Sequence, residues 1–215
     1  MQFSLIPTPD NYFTLKSATF GEFKEKASRF LCYAYPVADE QEIHKALEAL
    51  RKEHYNATHV CYAYRLGTSG LLFRANDDGE PSSTAGKPIL GQIDSFGLTN
   101  VLVAVVRYYG GTKLGTGGLK AAYKYGAKVA LEAGEKIEKL VEELIDIQYP
   151  YSEMNSVMKL LRTLDLNIKT HLEYKEVGNE SYPCIRVAVR KSLIERFCAG
   201  LDKIDGLSYE QLPGV

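Results

Sequence analysis

Two short segments hold the residues whose types and spacing could do chemistry. The first is Asp77-Asp78-Gly79-Glu80-Pro81-Ser82-Ser83-Thr84-Ala85-Gly86. Asp77, Asp78 and Glu80 put three carboxylates within four positions, ahead of a proline and three hydroxyl residues. Such a run reads in two ways. It is a turn whose acidic side chains and proline favour the start of a helix, or it is an acidic loop for a divalent cation or a partner, since Mg²⁺ takes a few carboxylates together with phosphate oxygens. The second segment runs from Arg107 through Tyr108, Tyr109, Gly110, Gly111, Thr112, Lys113, Leu114, Gly115, Thr116, Gly117 and Gly118 to Leu119 and Lys120. It holds five glycines in nine positions, between an apolar run and an amphipathic one. Backbone that approaches something closely needs such glycines, and amides at a helix start attract anions. A tight strand-to-helix crossing that needs glycine for packing is the other reading. Neither nucleotide fingerprint fits. Lys113 is followed by Leu114 rather than Ser or Thr, and the sixth position counted from Gly115 is Lys120 rather than Gly.

Lys120, Lys124 and Lys128 follow at helical spacing on one stripe. From Ser95 to Leu131 the chain has five basic residues and no acidic one, with Tyr108, Tyr109, Tyr123 and Tyr125 interleaved. A solvated lysine face has this pattern. So does a surface that meets phosphates and stacks on bases. The four histidines (44, 54, 59 and 171) have no metal-ligand spacing, and neither a G-x-S-x-G nor an H-E-x-x-H motif occurs. No catalytic residue is assigned, no cofactor is expected, and a metal is left open.

The elements that must position these segments are read from periodicity. Residues 12–20 and 23–35 are predicted as strands joined at Gly21-Glu22. Asp39 opens a helix over 40–54, with Glu42 completing a capping pair. Strands over 59–66 and 71–76 flank Gly67–Gly70, and 82–96 suits a helix. Residues 101–109 (VLVAVVRYY) are apolar on both faces, as a doubly covered strand is. A helix follows over 117–133. Residues 135–143 fit either an extension of that helix or a strand. Beyond 144 the order is strand, helix (152–164), strand (166–176), strand (184–190), helix (192–202), strand (204–211), with Val177–Glu180 as a turn and Ser192–Glu195 as a capping box. That order is the βαββαβ split unit. The expected fold class is therefore α+β in two domains, 1–134 and 135–215.

Composition sets the class. In 215 residues, 45% are hydrophobic and 25% charged, the ordinary globular mix. The formal net charge of −1 excludes wholesale electrostatic attraction to nucleic acid, although the first domain carries +2 and the second −3. Cys32, Cys61, Cys184 and Cys198 are irregularly spaced among apolar neighbours, which points to buried free thiols in a reducing compartment. With no signal-like start and no long apolar run, a soluble, cytoplasmic protein without membrane association is expected.

The segments DDGEPSSTAGKPIL (77–90) and VVRYYGGTKLGTGGLKAAY (105–123), with the βαββαβ tail, resemble the IMPACT family in its bacterial, YigZ-type branch. The matching residues are Asp77, Asp78, Gly79, Glu80, Arg107, Tyr108, Gly110, Gly111, Lys113, Leu114, Gly115, Gly117 and Gly118. The resemblance implies a first domain like the second domain of the fifth small-subunit ribosomal protein. It implies a second domain like the ferredoxin-like domains III and V of elongation factor G. Eukaryotic members of that family are translational regulators that act through the co-activator of a kinase of the initiation machinery. Three functions are carried forward. The first is a non-catalytic, translation-associated regulator that binds RNA, a ribosome or a translation factor, with Arg107, Tyr108, Gly110, Gly111, Lys113, Gly115, Gly117, Gly118, Lys120, Lys124 and Lys128 as candidate contacts. The second is a nucleotide binder or phosphoryl-transfer enzyme that sets the Gly110–Gly118 loop against Asp77, Asp78 and Glu80. The third is a protein-interaction module.

Overall fold

The computed structural model describes residues 10–177 and 180–212. The chain divides into a unit spanning Asn11–Lys139 and a second one containing Asp10 and the chain from Leu140 onward. The first unit is built on a five-stranded antiparallel sheet in the order β2-β3-β6-β4-β5. Its strands are β2 (Thr19–Glu25), β3 (Ser28–Pro36), β4 (His59–Leu66), β5 (Leu72–Asn76) and β6 (Val101–Tyr108). A separate two-stranded sheet joins β1 (Asn11–Leu15) to β7 (Lys136–Leu140). The stretch 135–143, left open by periodicity, is thus strand, and its pairing with β1 carries the first unit to Lys139.

β6 is the central strand, and its alternation sorts the two cores. Val101, Val103 and Val105 face α2 (Gly86–Phe96) and α3 (Gly115–Glu132), packing with Ile89, Ile93, Ala127 and Leu131. Leu102 and Ala104 face the other way, onto Ile43, Leu47 and Leu50 of α1 (Glu40–Glu53). A strand covered by helices on both faces reads as a continuous apolar run. α1 begins where Asp39 accepts the amide of Glu42, and the Glu42 carboxylate accepts the amide of Ala38.

The hairpin between β2 and β3 turns at Lys26-Ala27, with Lys26 at φ 51, and not at Gly21-Glu22. Gly21 lies within β2 because α3 crosses it there. A Cβ at Gly21 would come 2.4 Å from Val129 Cγ1. α2 also starts at Gly86 rather than near 82, because 81–85 form an irregular turn with Ser83 at φ 61.

The second unit has strands β8 (Glu142–Gln148), β9 (Ile168–Val177), β10 (Glu180–Arg190) and β11 (Ser208–Leu212) in the order β11-β8-β10-β9. With α4 (Met154–Thr163) after β8 and α5 (Ile194–Leu201) after β10, this is the ferredoxin-like βαββαβ arrangement. Ile145, Ile147, Ile185, Val187 and Val189 meet Val157, Leu161, Phe197 and Leu201 of the helices. Ser192 does not cap α5; its amide and hydroxyl both bond the Asp10 carboxylate. The turn expected at 177–180 falls partly outside the described residues. All four thiols are free, Cys198 being half-buried and the others buried. Among the described residues no helix is long and apolar enough to cross a membrane.

α3 lies close on the sheet at Gly126, where a Cβ would sit 2.9 Å from Cys32 Sγ and 3.2 Å from Phe23. Gly126→Ala is therefore expected to destabilise the first unit by about 1–3 kcal/mol through overpacking, despite alanine's better helix propensity. Urea denaturation followed by circular dichroism measures it, and an unchanged midpoint would contradict this packing.

Candidate functional site

The parity of β6 that points Val103 and Val105 into the core carries Arg107 to the same face. There the guanidinium is 4% exposed and lies in a cross-strand row between Phe30 and His59. A charge placed so must be paired and hydrogen-bonded. The partner comes from the acidic segment. Glu80 Oε1 lies 2.6 Å from Arg107 Nη1, and Glu80 is itself 8% exposed. The same oxygen accepts the Tyr123 hydroxyl of α3 at 2.7 Å. Arg107 Nη2 donates to Ser28 Oγ at 3.3 Å, and its Cζ lies 5.6 Å from the Phe30 ring centroid and 5.4 Å from that of Tyr109. Arg107 Nε is buried without a hydrogen-bond partner among the described residues. Burial, with Cys61 and Glu80 close by, drives the Tyr123 phenol well above the usual range, so it stays a neutral donor.

The two aspartates are also committed to the protein. Asp77 Oδ1 accepts the amides of Ala85 and Gly86, and Oδ2 accepts that of Ser83. It thus supplies the N-terminal cap that Ala85, at the cap position, has no side chain to give. Partial burial would raise the Asp77 pKa, but the amides of Ser83, Gly86 and Ala85 outweigh it and hold the carboxyl below the ordinary aspartate value. Asp78 Oδ2 accepts the Val60 amide at 2.6 Å, while Oδ1 pairs with Arg51 at 3.1 Å. His59 Nδ1 donates to the Asp78 carbonyl at 2.7 Å, which turns Nε2 toward Glu80 at 3.9 Å. Among the described residues no group of three or more His, Cys, Asp or Glu side chains could hold a metal ion.

The glycine-rich loop rests on the β2–β3 turn. A Cβ at Gly110 would come 1.8 Å from the Ala27 carbonyl oxygen, so only glycine fits. Lys26 Nζ donates to the Lys113 carbonyl at 3.3 Å. Gly111 and Gly115 take positive φ, 86° and 74°. Gly118 lies against Leu114, whereas Gly117 has neither a positive φ nor any atom within 4 Å of an added Cβ. Among the described residues no side chain caps α3.

Loop and acidic segment meet in a cavity of about 330 Å³. Its walls are Glu80, Pro81, Arg107 and Tyr109 on one side and Lys113 through Thr116 with Leu119 on the other. The two sequence motifs are therefore neighbours in space. Tyr108 is not with them. It points to the opposite face of the sheet, where its hydroxyl meets His54 Nδ1 at 3.0 Å and Tyr33 meets Nε2 at 2.8 Å. Tyr123 is wholly buried, so of the four interleaved tyrosines Tyr109 and Tyr125 present rings to solvent. Lys120, Lys124 and Lys128 are exposed along α3, Lys128 facing Glu132 at 3.5 Å. Sequence reasoning missed Lys26, His59 and the structural use of Tyr123. Only the last had a signal, since Tyr123 continues the apolar face of α3 through Leu119, Gly126 and Ala130.

Glu80→Ala is expected to lower stability by about 3–5 kcal/mol, because it strands Arg107 as an uncompensated buried charge; chemical denaturation measures this. Asp77 gives a pH signature. Its native pKa is depressed, so its stabilisation is complete above the unfolded carboxylate pKa of about 3.9 and is lost as pH falls through the native value. Wild type should therefore lose more stability than Asp77→Asn below about pH 4, and parallel acid-denaturation curves would contradict the capping role.

Known proteins are similar to this chain in sequence and in fold. Residues 26–131, which include both motifs and the cavity, match the Impact N-terminal domain. The chain is 36% identical over 173 residues to IMPACT family member YvyE of Bacillus subtilis, covering 80% of this chain and 79% of that one. It is 36% identical over 204 residues to an IMPACT family member of Haemophilus influenzae, covering 94% and 96%. A crystal structure described as that of a hypothetical protein aligns with a TM-score of 0.67 at 27% identity, over 95% of this chain and 98% of the other. The similarity spans nearly the full length of the chain, and the chain belongs to the IMPACT family.

Proposed function

We propose that this protein is a non-catalytic, translation-associated regulator that binds RNA through the basic face of α3 and the glycine-rich loop. Regulation of translation comes from the family, through its eukaryotic members. RNA as the ligand comes from one observation on the surface of the first unit. Lys113, Lys120 and Lys124 are exposed on a stretch with no acidic residue from 95 to 131, and exposed Tyr109 and Tyr125 lie among them. Ammonium groups contact phosphates, and aromatic rings take bases irrespective of sequence.

The phosphoryl-transfer reading has support for only half of its requirements. The glycine loop and Glu80 share a cavity, but Asp77, Asp78 and Glu80 are already bonded to backbone amides and to Arg51, Arg107 and Tyr123. Carboxylates so engaged are poor candidates to carry Mg²⁺, so the catalytic form of that reading is set aside and phosphate binding is kept.

Fluorescence anisotropy of a labelled single-stranded RNA tests the proposal. Wild type should bind with an affinity that falls steeply with salt, and Lys113/Lys120/Lys124→Ala should bind weakly. With three lysines no longer neutralising phosphates of a single strand, the slope of log K against log salt should shrink by about 2. No binding by wild type at low salt, or an unchanged slope in the triple variant, would overturn RNA as the ligand and move the site toward a protein partner.

A further inference from the structure

We infer that the open face of the sheet in the second unit docks a basic, extended segment of a partner protein, with an arginine or lysine side chain seated between Glu173 and Glu210. The face shares no residue with α3 or the glycine-rich loop, so it stands or falls separately from RNA binding there. Strand alternation defines it. Ile145, Ile147, Ile185 and Val187 point to α4 and α5, so their neighbours in β8 and β10 point away from both helices. Antiparallel register lines those neighbours up across the sheet. Ser208, Gln148, Cys184 and Leu172 form one row, and Glu210, Asp146 and Arg186 lie in the next. The solvated face of an antiparallel sheet is ordinarily polar. This one is not: Leu144, Leu172 and Leu212 are half-buried on it, between Cys184 and Ala188 at 7% and 6% exposure.

Charge complementarity names the occupant. A cavity of about 310 Å³ opens along the first row, and Asp146, Glu173 and Glu210 line it with no lysine or arginine among the lining residues. Arg186 matches Asp146, donating from Nε at 2.6 Å and from Nη2 at 2.7 Å. Glu173 and Glu210 are exposed and have no cationic partner among the described residues. The wall therefore keeps an excess of two negative charges, in a stretch, 135–215, whose formal charge is −3. Phosphates are repelled by such a wall, and a cation is drawn to it. The same wall is apolar at Leu172, Ile147 and Cys184. A bare metal ion would not use that surface. Arginine and lysine do, because they lay an aliphatic stem along apolar surface and carry the charge at its end. Gln148 and Ser208 add neutral acceptors beside the carboxylates, and the volume is at the small end of ligand pockets, suited to one long side chain. Leu144 and Leu212, further along the same face, give the neighbouring residues of an extended segment an apolar surface to cover.

Because Glu173 and Glu210 are exposed, Glu173→Gln/Glu210→Gln removes the charge without disturbing the core. The probe is a labelled peptide of repeated Arg-Ser-Leu-Ser, whose extended form turns arginine and leucine to one face, titrated with the full chain and followed by fluorescence anisotropy. Wild type should bind it with an affinity that falls with salt, and the double variant should weaken binding by about tenfold, since two charge-assisted contacts are lost. Glu195→Gln/Asp165→Asn takes the same charge from the helical side of the unit and should change little. The corresponding Glu-Ser-Leu-Ser peptide should not bind. In amide NMR spectra the Arg-Ser-Leu-Ser peptide should move the signals of Gln148, Leu172 and Cys184. No binding by wild type, or equal weakening by the two double variants, overturns the site. Spermine displacing the peptide at equal concentration overturns the polypeptide part. Single-stranded RNA that moves those three amides, where the peptide does not, gives the face to nucleic acid and overturns a protein as its occupant. Peptide binding that is unchanged in Lys113/Lys120/Lys124→Ala separates this surface from the basic face of α3, and its loss there would overturn the placement on the second unit.

Discussion

The ion pair between Arg107 and Glu80 is the constraint on which the first unit turns. Taking both charges out of water is costly, and their attraction offsets that cost only with good geometry and further hydrogen bonds. The structure supplies both. The guanidinium is held at 2.6 Å, with an aromatic ring 5.6 Å from its Cζ and Ser28 beside it, while Tyr123 gives the carboxylate a second donor. One interaction thereby ties the central strand, the loop after β5 and the long helix α3 to one another. It also explains why two motifs about 20 residues apart in sequence belong together. Each contains half of a buried pair, and neither half is tolerable alone.

The acidic segment follows from the same logic. A loop rich in carboxylates invites a metal, yet every carboxylate here solves a problem of the chain itself. Asp77 replaces a missing helix cap, Asp78 satisfies the Val60 amide beside the end of β5, and Glu80 neutralises Arg107. Amide donors hold Asp77 and Asp78 in place, with the backbone of Asp78 at φ 43 as part of the turn. Lys113 is left as the cation of the cavity wall without an acidic partner there, and Lys26 holds its carbonyl from the β2–β3 turn. The acidic motif thereby fixes the wall against which the glycine loop stands.

Much of the architecture was legible from pattern. The doubly apolar run at 101–109 read as the central strand because both faces of Val101–Tyr108 are in fact covered. The capping pair at Asp39 and Glu42 marked α1, and the βαββαβ order marked the second unit. What failed was local punctuation overruled by distant packing. Gly21 looked like a turn, but it is a gap for Val129 on a helix roughly a hundred residues later in the chain. Ser192 looked like a cap, but Asp10 takes its hydroxyl. Parity was the neglected signal at the site. Counting from Val103 and Val105 puts Arg107 inside and Tyr108 on the far face, so an interior guanidinium in search of a carboxylate could have been read from the strand alone. Which carboxylate it finds, 27 residues upstream, could not.

The glycines of the loop carry the remaining argument. Density alone did not distinguish packing from ligand approach, whereas individual positions do. Gly110 is compulsory because the Ala27 carbonyl occupies the space of a Cβ, and Gly111 and Gly115 are compelled by positive φ. Gly117 answers to neither rule. It sits in the first turn of a helix, in helical conformation, with open space around it, and glycine there costs about 1 kcal/mol relative to alanine. A destabilising residue without a packing or backbone reason needs a different one, as a local rule broken without visible compensation marks a functional position. Gly117 is exposed in the first turn of α3, on the same segment as Lys113 and Lys120. The fold satisfies its own charges with the acidic motif and leaves the ammonium groups of Lys113, Lys120 and Lys124 exposed, which is the condition that contact with a phosphate backbone requires.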